Sequence, residues 1–465
     1  MMGDNLIVQF VIFLVNIVIV FPIWLTLLLP LTIAFSVYNR LKKHKQPLFL
    51  EIDSVATDLI PQQDRKYDVV IYGATGFTGK MACEYIAKQY PKLRWAIGGR
   101  SSSKLQEVVK HLSGIDSNLE KNLDIIIADS YNVEQLKKMV QNTKVVVSTV
   151  GPYTAYGNYL VALCCQYGTH YTDLTGELDW VKVIIEKYDS LAVKSGAQIV
   201  NTCGYDSIPF DLTTLYLNEQ MNKQKNQRLK SVYGYCEQYL NASGGTLASV
   251  VYILTHKSSF VSKLGYDALL KNIGENTQSK SNFKFTFKFL VGYAKEFKKF
   301  FGLSVGMLGN GQIVKRSNAL LHYHEDFRYG ESVIHPNIFS AINTFLGILL
   351  LLPLLIVTPL KQTIGKLILP NPGEGPSQKE MDKGFLIFTA IGKGENGAEL
   401  KAAFTMPTDP GYRDTARILA ESGITLALNQ DQIKVKGGFY TSASCQGNIL
   451  LEKICQTGST IQIVQ

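Results

Sequence analysis

Between residues 66 and 204, apolar runs of strand length alternate with segments of helical periodicity, and no other feature constrains the fold as strongly. Consecutive strands joined by helices require right-handed crossovers, which build a parallel sheet covered on both faces. The three valines at 145–147 are typical of a strand buried on both sides. We therefore predict an α/β fold with a doubly wound parallel sheet of the Rossmann type. The predicted strands are 67–73, 94–98, 124–128, 144–150, 170–174 and 198–202, and the predicted helices are about 77–89, 101–112, 133–142, 158–167 and 179–195.

A glycine-rich turn joins the first predicted strand to the first predicted helix. Glycine permits a sharp turn, lets the backbone approach a pyrophosphate without an intervening Cβ, and lets the helix pack closely on the strand. Backbone amides at the helix N-terminus then point at the phosphates. The turn therefore predicts a dinucleotide site, and the alternative is a plain tight turn. The residues of this predicted site are Gly73, Thr75, Gly76, Phe77, Thr78 and Gly79.

The residues at the end of the second predicted strand indicate which dinucleotide the site binds. A site specific for NAD places an Asp or Glu there to bond the ribose 2′-hydroxyl. This chain has Arg100 and Ser101 instead, and a guanidinium beside a hydroxyl suits a 2′-phosphate. We therefore predict NADP(H) as the cofactor in preference to NAD(H). The alternative is a surface arginine followed by a serine that caps the next helix, and Ser101 is able to do both.

Further cofactor contacts are expected where the third and fourth strands end, because ligands of such sheets lie across the carboxyl ends of the strands. Asp129 is expected near the adenine, and the turn after the fourth strand near the nicotinamide ribose. A sharp exit from a buried strand would explain Gly151 and Pro152 equally well. The residues of this turn are Thr149, Val150, Gly151 and Pro152.

A series of motifs occurs in an order that resembles the saccharopine dehydrogenase-like oxidoreductases. The motifs lie at 73–79, 99–101, 150–153, 168–177, 204–211, 375–377, 411–412 and 437–441, so the resemblance covers about residues 66–465. The sequence is similar to the membrane- and lipid-associated branch of that family, which includes trans-acting enoyl reductases of glycolipid synthesis. The resemblance implies a Rossmann domain at 66–206, a second α+β domain at 207–403, and a return of the chain to the first domain at 404–465.

Catalytic groups must lie on loops at the carboxyl ends of the last strands, within hydrogen-bonding reach of a substrate held against the hydride donor. The tyrosines there could protonate a developing oxyanion or enolate, and the carboxylates could orient a substrate amine or each other. The candidates are Tyr153, Asp173, Tyr205 and Asp206, with Glu177 and Ser207 beside them. The alternative for Asp206 and Ser207 is a helix cap before Pro209.

Histidine and cysteine spacings predict no metal site. His170, at the start of a strand, is expected to be a structural histidine. His322 and His324 are expected on one side of a strand, where no third ligand is evident. The seven cysteines are odd in number and have no CxxC spacing, so neither a disulfide framework nor a zinc site is expected.

Two long uncharged segments predict contact with a membrane. Residues 5–39 carry no charge, and a helix of that length would be about 50 Å long against a bilayer core of about 30 Å. Residues 1–45 are therefore predicted to be an anchor, either a single tilted span or a re-entrant hairpin turning near Pro22 or Pro30. The basic cluster at 40–45 places the following domain on the cytoplasmic or matrix side. Residues 336–360 are expected to contact the membrane from one side, the alternative being packing against protein.

The net charge of +9 does not predict nucleic-acid binding, because four of the positive residues lie in the membrane-flanking cluster at 40–45. The leading hypothesis is a membrane-associated NADP(H)-dependent oxidoreductase acting on an apolar or lipid-linked carbonyl or enoyl substrate. The alternative is a non-catalytic nucleotide-binding subunit of a membrane complex. The expected partners are a lipid bilayer or lipid-droplet surface, with complex subunits or a second copy of the chain. The expected locations are the mitochondrial inner membrane and the endoplasmic reticulum or lipid droplet.

Overall fold

The computed structural model describes residues 6–41, 48–239, 251, 267–270, 282–288, 290–360 and 375–465. Seven parallel strands in these ranges form the first sheet, in the order β14-β6-β5-β4-β1-β2-β3. The strands are β1 (Tyr67–Tyr72), β2 (Trp95–Gly99), β3 (Asp124–Ile127), β4 (Thr143–Ser148), β5 (His170–Asp173), β6 (Gln198–Val200) and β14 (Gly438–Tyr440). This confirms the predicted Rossmann-type sheet, to which β14 adds a strand that the alternation at 66–204 did not contain.

Helices cover both faces of the first sheet, as predicted. They are Phe77–Gln89, Ser102–Ser113, Leu119–Asn122, Val133–Gln141, Tyr153–Tyr156, Asn158–Tyr167 and Leu178–Ser195. The central strands are buried on both sides, and Val69, Val70 and Ile71 are fully buried. Each such side chain stabilises the fold by about 1.5–3 kcal/mol relative to an exposed one.

The second sheet is mixed and has eight strands within the described ranges, in the order β15-β13-β12-β7-β11-β10-β9, with β8 paired to β11. The strands are β7 (Leu229–Tyr239), β8 (Lys284–Phe285), β9 (Val291–Ala294), β10 (Lys299–Leu303), β11 (Arg328–His335), β12 (Phe385–Gly394), β13 (Glu399–Met406) and β15 (Thr460–Val464). Three helices pack against this sheet: Ile208–Lys225, Met307–Leu321 and Ile338–Ile356.

The C-terminal segment serves both sheets, because β14 pairs with β6 and β15 pairs with β13. The helix Thr415–Leu428 precedes β14, and the helices Ser442–Cys445 and Gly447–Gln456 lie between β14 and β15. A helix over 413–422 that ends at Gly423 is the sequence-based expectation, and this boundary is wrong. The helix continues through Gly423, where a Cβ would lie 2.3 Å from Val147 Cγ2. The glycine therefore brings the helix close to β4 rather than ending it.

The strand expected around His322 and His324 is also wrong. His322 ends the helix Met307–Leu321 in a left-handed conformation, with φ of 56°. The next strand, β11, begins only at Arg328. His324 Nδ1 accepts a hydrogen bond from the Asp326 amide at 3.0 Å, which stabilises the turn between them.

The N-terminal apolar segment is one helix from Leu6 to Leu41 in which two π-helical stretches, Asn16–Val20 and Trp24–Leu28, interrupt the α-helix. The helix passes through Pro22 and Pro30. Because proline has no N–H to donate, the hydrogen-bond ladder widens near each of them instead of breaking. The hairpin alternative is therefore not the structure adopted. Lys42, Lys43 and Lys45 of the basic cluster lie outside the described residues.

Two helices, Leu6–Asn39 and Ile338–Ile356, are long and apolar enough to cross a membrane.

All seven cysteines lie in described parts of the chain, and each is a free thiol.

Candidate active site

The phosphate loop is held by close contacts among its own glycines and Thr149. Gly73 has φ of 96°, and a Cβ there would lie 2.6 Å from Thr149 Oγ1. A Cβ on Gly79 would lie 2.3 Å from the Gly73 carbonyl oxygen, whereas one on Gly76 would meet only that oxygen, at 3.3 Å. The Thr149 hydroxyl donates to the Gly73 carbonyl at 3.0 Å. Gly73 and Gly79 therefore shape the turn, and Gly76 leaves room at the N-terminus of the helix Phe77–Gln89.

Phe77 of this loop is enclosed by segments from the far end of the chain. A Cβ on Gly375 would lie 2.4 Å from the Phe77 ring, and the Tyr412 ring packs edge-on against Phe77 at 5.3 Å. Asp409 positions Tyr412 by accepting a hydrogen bond from its amide at 2.7 Å. Thr75 and Thr78 are half-buried in the same loop. The motifs at 375–377 and 411–412 thus border the phosphate loop.

Arg100, Ser101 and Asp129 lie just after β2 and β3, at the same edge of the first sheet. Arg100 is exposed, and Ser101 accepts a hydrogen bond from the Lys104 amide at 3.5 Å as the helix cap. The charges of Arg100 and Asp129 both influence the pKa of the nearby Tyr72 hydroxyl. The pKa of the Tyr72 hydroxyl is raised to about 12, mainly by burial and also by Asp129, while the hydrogen bond with Ser130 and the charge of Arg100 lower it. These side chains could therefore face one ligand group at this edge of the sheet.

Tyr153 has a structural position. It follows the turn of Val150, Gly151 and Pro152, in which the Gly151–Pro152 peptide is cis. The Tyr153 side chain is 3% exposed. Its hydroxyl donates to the Ser148 carbonyl at 3.1 Å and accepts from the Leu174 amide at 3.4 Å. We therefore assign Tyr153 no role as a proton donor.

Two other candidate carboxylates hold loops in place. Glu177 is buried and accepts from the amides of Tyr153 and Thr154 at 2.8 and 2.9 Å, so it caps the helix Tyr153–Tyr156. Asp173 is fully buried and accepts from the amides of Thr175 and Thr202, and from the Asn201 side chain. Burial raises the pKa of Asp173 to about 6 although these donors lower it. Both groups position the loops rather than face a substrate.

His170 is also structural, as expected. Its Nδ1 accepts a hydrogen bond from the Gln198 amide at 3.1 Å. Burial lowers the pKa of His170 to about 3, so the imidazole is neutral and joins β5 to β6.

Tyr205 and Asp206 remain as candidates at the junction of the two sheets. The Tyr205 amide donates to Thr415 Oγ1 at 3.0 Å, and its hydroxyl donates to Gln238 Oε1 on β7 of the second sheet. Asp206 reaches solvent, yet the protein around it raises the pKa of its carboxyl by desolvation. Ser207 stands at the N-cap of the next helix but makes no capping bond through its side chain.

Glu331 on β11 was not predicted from the sequence. It is 3% exposed, and its carboxylate accepts from Tyr329 OH at 2.6 Å and from Ser304 and Asn310, each at 3.2 Å. The pKa of Glu331 is raised to about 7, because burial, with a smaller contribution from Asp206, outweighs the lowering by these donors. A carboxyl group from each domain therefore lies at the junction between the sheets.

A signal for Glu331 exists in the sequence. The residue alternates with Tyr329 and Val333 along a strand, so it points to the same inward face. A carboxylate at such a position is a candidate functional group. The described residues contain no group of three or more His, Cys, Asp or Glu side chains that could hold a metal ion.

The glycine turn on a doubly wound sheet, with charged groups at the strand ends, defines a dinucleotide-dependent oxidoreductase fold. The chain belongs to the saccharopine dehydrogenase-like oxidoreductase family, as the resemblance predicted. The family profile described as the saccharopine dehydrogenase NADP binding domain matches residues 69–230. This confirms the prediction of NADP(H) as the cofactor.

Two relatives carry the same name. A trans-acting enoyl reductase of Mycobacterium ulcerans (strain Agy99) is 32% identical over 412 residues, covering 85% of this chain and 97% of the relative. A trans-acting enoyl reductase of Mycobacterium tuberculosis (strain ATCC 25618 / H37Rv) has the same identity and coverage. Among solved structures, apo saccharopine dehydrogenase (L-Glu forming) from Saccharomyces cerevisiae is 14% identical with a TM-score of 0.48, over 85% of this chain and 99% of that chain.

Proposed function

We propose that this protein is a membrane-associated reductase that uses NADPH to reduce an enoyl or carbonyl group on an apolar, lipid-linked substrate. The observation that carries the proposal is the buried Glu331 carboxyl, which is hydrogen-bonded to Tyr329, Ser304 and Asn310 and whose pKa is raised to about 7, in a chain that also has an intact phosphate loop. The trans-acting enoyl reductase name of the relatives supports the enoyl class.

The residues of the phosphate loop and at the end of β2 fit the cofactor. Gly76 leaves space for a pyrophosphate, and Arg100 is exposed where a 2′-phosphate would lie. NADPH bound there would supply a hydride. Reduction of a double bond conjugated to a carbonyl also needs a proton, and the Glu331 carboxyl holds one up to a pH of about 7. Tyr205 and Gln238 form a hydrogen bond across the junction, so they fix the two domains relative to each other.

The position of the apolar helix Ile338–Ile356 supports a lipid-linked substrate. The helix Ile338–Ile356 follows β11 directly, and its Ala341 lies over Gly302 and His335. Alternation along β11 puts His335 and Glu331 on the same face of the sheet. The candidate proton donor and the apolar helix therefore share one face of the second domain.

The test is NADPH oxidation by the purified full-length protein with acyl-chain substrates that carry an enoyl or a carbonyl group. Glu331→Gln is expected to keep NADPH affinity and to lower turnover by about 10²–10⁴-fold, the usual contribution of a general acid. Glu399→Gln is the matched control, because Glu399 lies on the same sheet but is exposed. Tight NADPH binding without turnover on any substrate would favour the nucleotide-binding subunit instead.

A further inference from the structure

The two apolar helices pack side by side and run in the same direction. Near their starts, the rings of Phe10 and Phe13 lie 5.1 and 5.3 Å from the Phe339 ring. Further along, Trp24 Nε1 donates to the Leu349 carbonyl at 2.8 Å. The contacts occur in the same order along both helices, so Leu6–Leu41 and Ile338–Ile356 form a parallel helix pair.

The helix pair has polar groups inside and apolar groups outside. Asn16 Nδ2 donates to Asn343 Oδ1 at 3.1 Å, and Asn343 Nδ2 donates to the backbone and side-chain oxygens of Gln9, both at 2.9 Å. The outer surface is apolar, with Ile7 73% and Val18 67% exposed. Amide groups that satisfy one another between helices with an apolar exterior suit a hydrocarbon environment.

The end of the pair that contains Phe10 and Phe339 packs against the second domain. The two sheet-containing domains together are called the body here. Helix Ile338–Ile356 begins three residues after His335, the last residue of β11. Ala341 is buried, 3.8 Å from where a Cβ on Gly302 of β10 would lie. Because Phe10 packs on Phe339, the start of the N-terminal helix lies beside the second sheet as well.

The other end of the pair, at Asn39 and Ile356, also lies near the body. Asn39 Nδ2 donates to the Ile356 carbonyl at 3.4 Å, and the basic residues at 40–45 follow at once in the sequence. Those charges cannot lie in hydrocarbon without a large cost. By residue 50 the chain is on the first domain, where Tyr188 OH donates to the Leu50 carbonyl at 2.9 Å.

We propose that the helix pair lies within the membrane leaflet that faces the body, with both ends at that surface, and does not cross the bilayer. Anionic phospholipid is the expected surface, because in the sequence a basic cluster at 40–45 directly follows this end of the pair, and the N-terminus is on the same side as the NADPH site. This topology rests on the membrane association proposed above.

A protease experiment tests the topology. Full-length protein carrying an epitope tag at each terminus is bound to sealed vesicles of phosphatidylcholine and phosphatidylserine. Protease added outside is expected to remove both tags at similar rates without detergent. An N-terminal tag that is protected until detergent is added, while the C-terminal tag is cut, would overturn the proposal. Protein that fails to float with the vesicles refutes membrane association itself.

Trp24 provides an independent measure of depth, because it lies midway along the N-terminal helix. The other tryptophans, Trp95 and Trp180, are buried in the first domain, and Trp24→Phe gives their background. Bromine near the top of the acyl chain is expected to quench Trp24 more strongly than bromine near its end. The reverse order, with Trp24 at the bilayer centre, would show that the helix spans the membrane.

Discussion

Gly375 lies directly against the ring of Phe77, so close that a Cβ on Gly375 would be 2.4 Å from the ring. Phe77 begins the helix that follows the phosphate loop, and Gly375 lies in the sequence between the apolar helix Ile338–Ile356 and β12. Tyr412 covers another side of the same ring. The surroundings of Phe77 are therefore built by three parts of the chain that are distant in sequence.

Replacing Arg100 with alanine is expected to weaken NADPH binding by about 1–3 kcal/mol, the scale of a charge-assisted hydrogen bond that is no longer made. NADH affinity is expected to change little, because NADH has no 2′-phosphate. Calorimetric titration of both nucleotides measures the effect. Lys110→Ala, at an exposed position late in the same helix as Ser102, is the charge-matched control. Equal losses for both nucleotides would show that Arg100 supports the loop instead.

Two glycines of the phosphate loop are expected to respond differently to substitution. Gly79→Ala places a Cβ 2.3 Å from the Gly73 carbonyl and should destabilise the fold by about 1–3 kcal/mol. Gly76→Val should leave the fold largely intact and abolish binding of NADPH and NADH, because the side chain enters the pyrophosphate space. Thermal unfolding and nucleotide titration separate the two effects.

Gly309→Ala is the control for this pair, because a Cβ on Gly309 would meet no atom within 4 Å. In the helix Met307–Leu321 that change should stabilise the protein by about 0.5–1 kcal/mol. A loss of stability in Gly76→Val as large as in Gly79→Ala would contradict the division of roles.

Glu331 is expected to make stability depend on pH. Its pKa is raised from an ordinary value of 4.5 to about 7, because burial disfavours the charged form. The folded state then binds more protons than the unfolded state between these values, so the stability from Glu331 is complete below about pH 4.5 and is lost as the pH rises through 7. Unfolding temperatures of the wild type and Glu331→Gln from pH 5 to 8 measure this loss.

The difference between those two proteins isolates Glu331, since Asp173 and Asp211, whose pKa values are raised to about 6, are present in both. The advantage of the wild type over Glu331→Gln should shrink as the pH rises. A constant difference across the range would mean that Glu331 titrates normally.

The cofactor half of the site could be predicted because its signals are local. The glycine turn follows one strand, and Arg100 follows the next, so sequence order alone places them at one edge of the sheet. Glu331 of the substrate half could not be predicted in this way, because its position is set only when β11 pairs with β7 in the second sheet. Tyr153 and Asp173 were predicted to be available to a substrate. The sequence does not reveal that backbone amides of neighbouring loops donate hydrogen bonds to the Tyr153 hydroxyl and the Asp173 carboxylate.

Deleting residues 1–39 is expected to release the protein only partly from membranes, because helix Ile338–Ile356 remains. The deletion also removes Gln9 and Asn16, the partners of the Asn343 side chain. Asn343→Leu in the truncated protein should therefore increase the fraction that stays bound, because it removes a polar group that would otherwise face lipid. Extraction with carbonate and high salt measures these fractions. A truncated protein that stays wholly bound would show that the N-terminal helix is not the principal anchor.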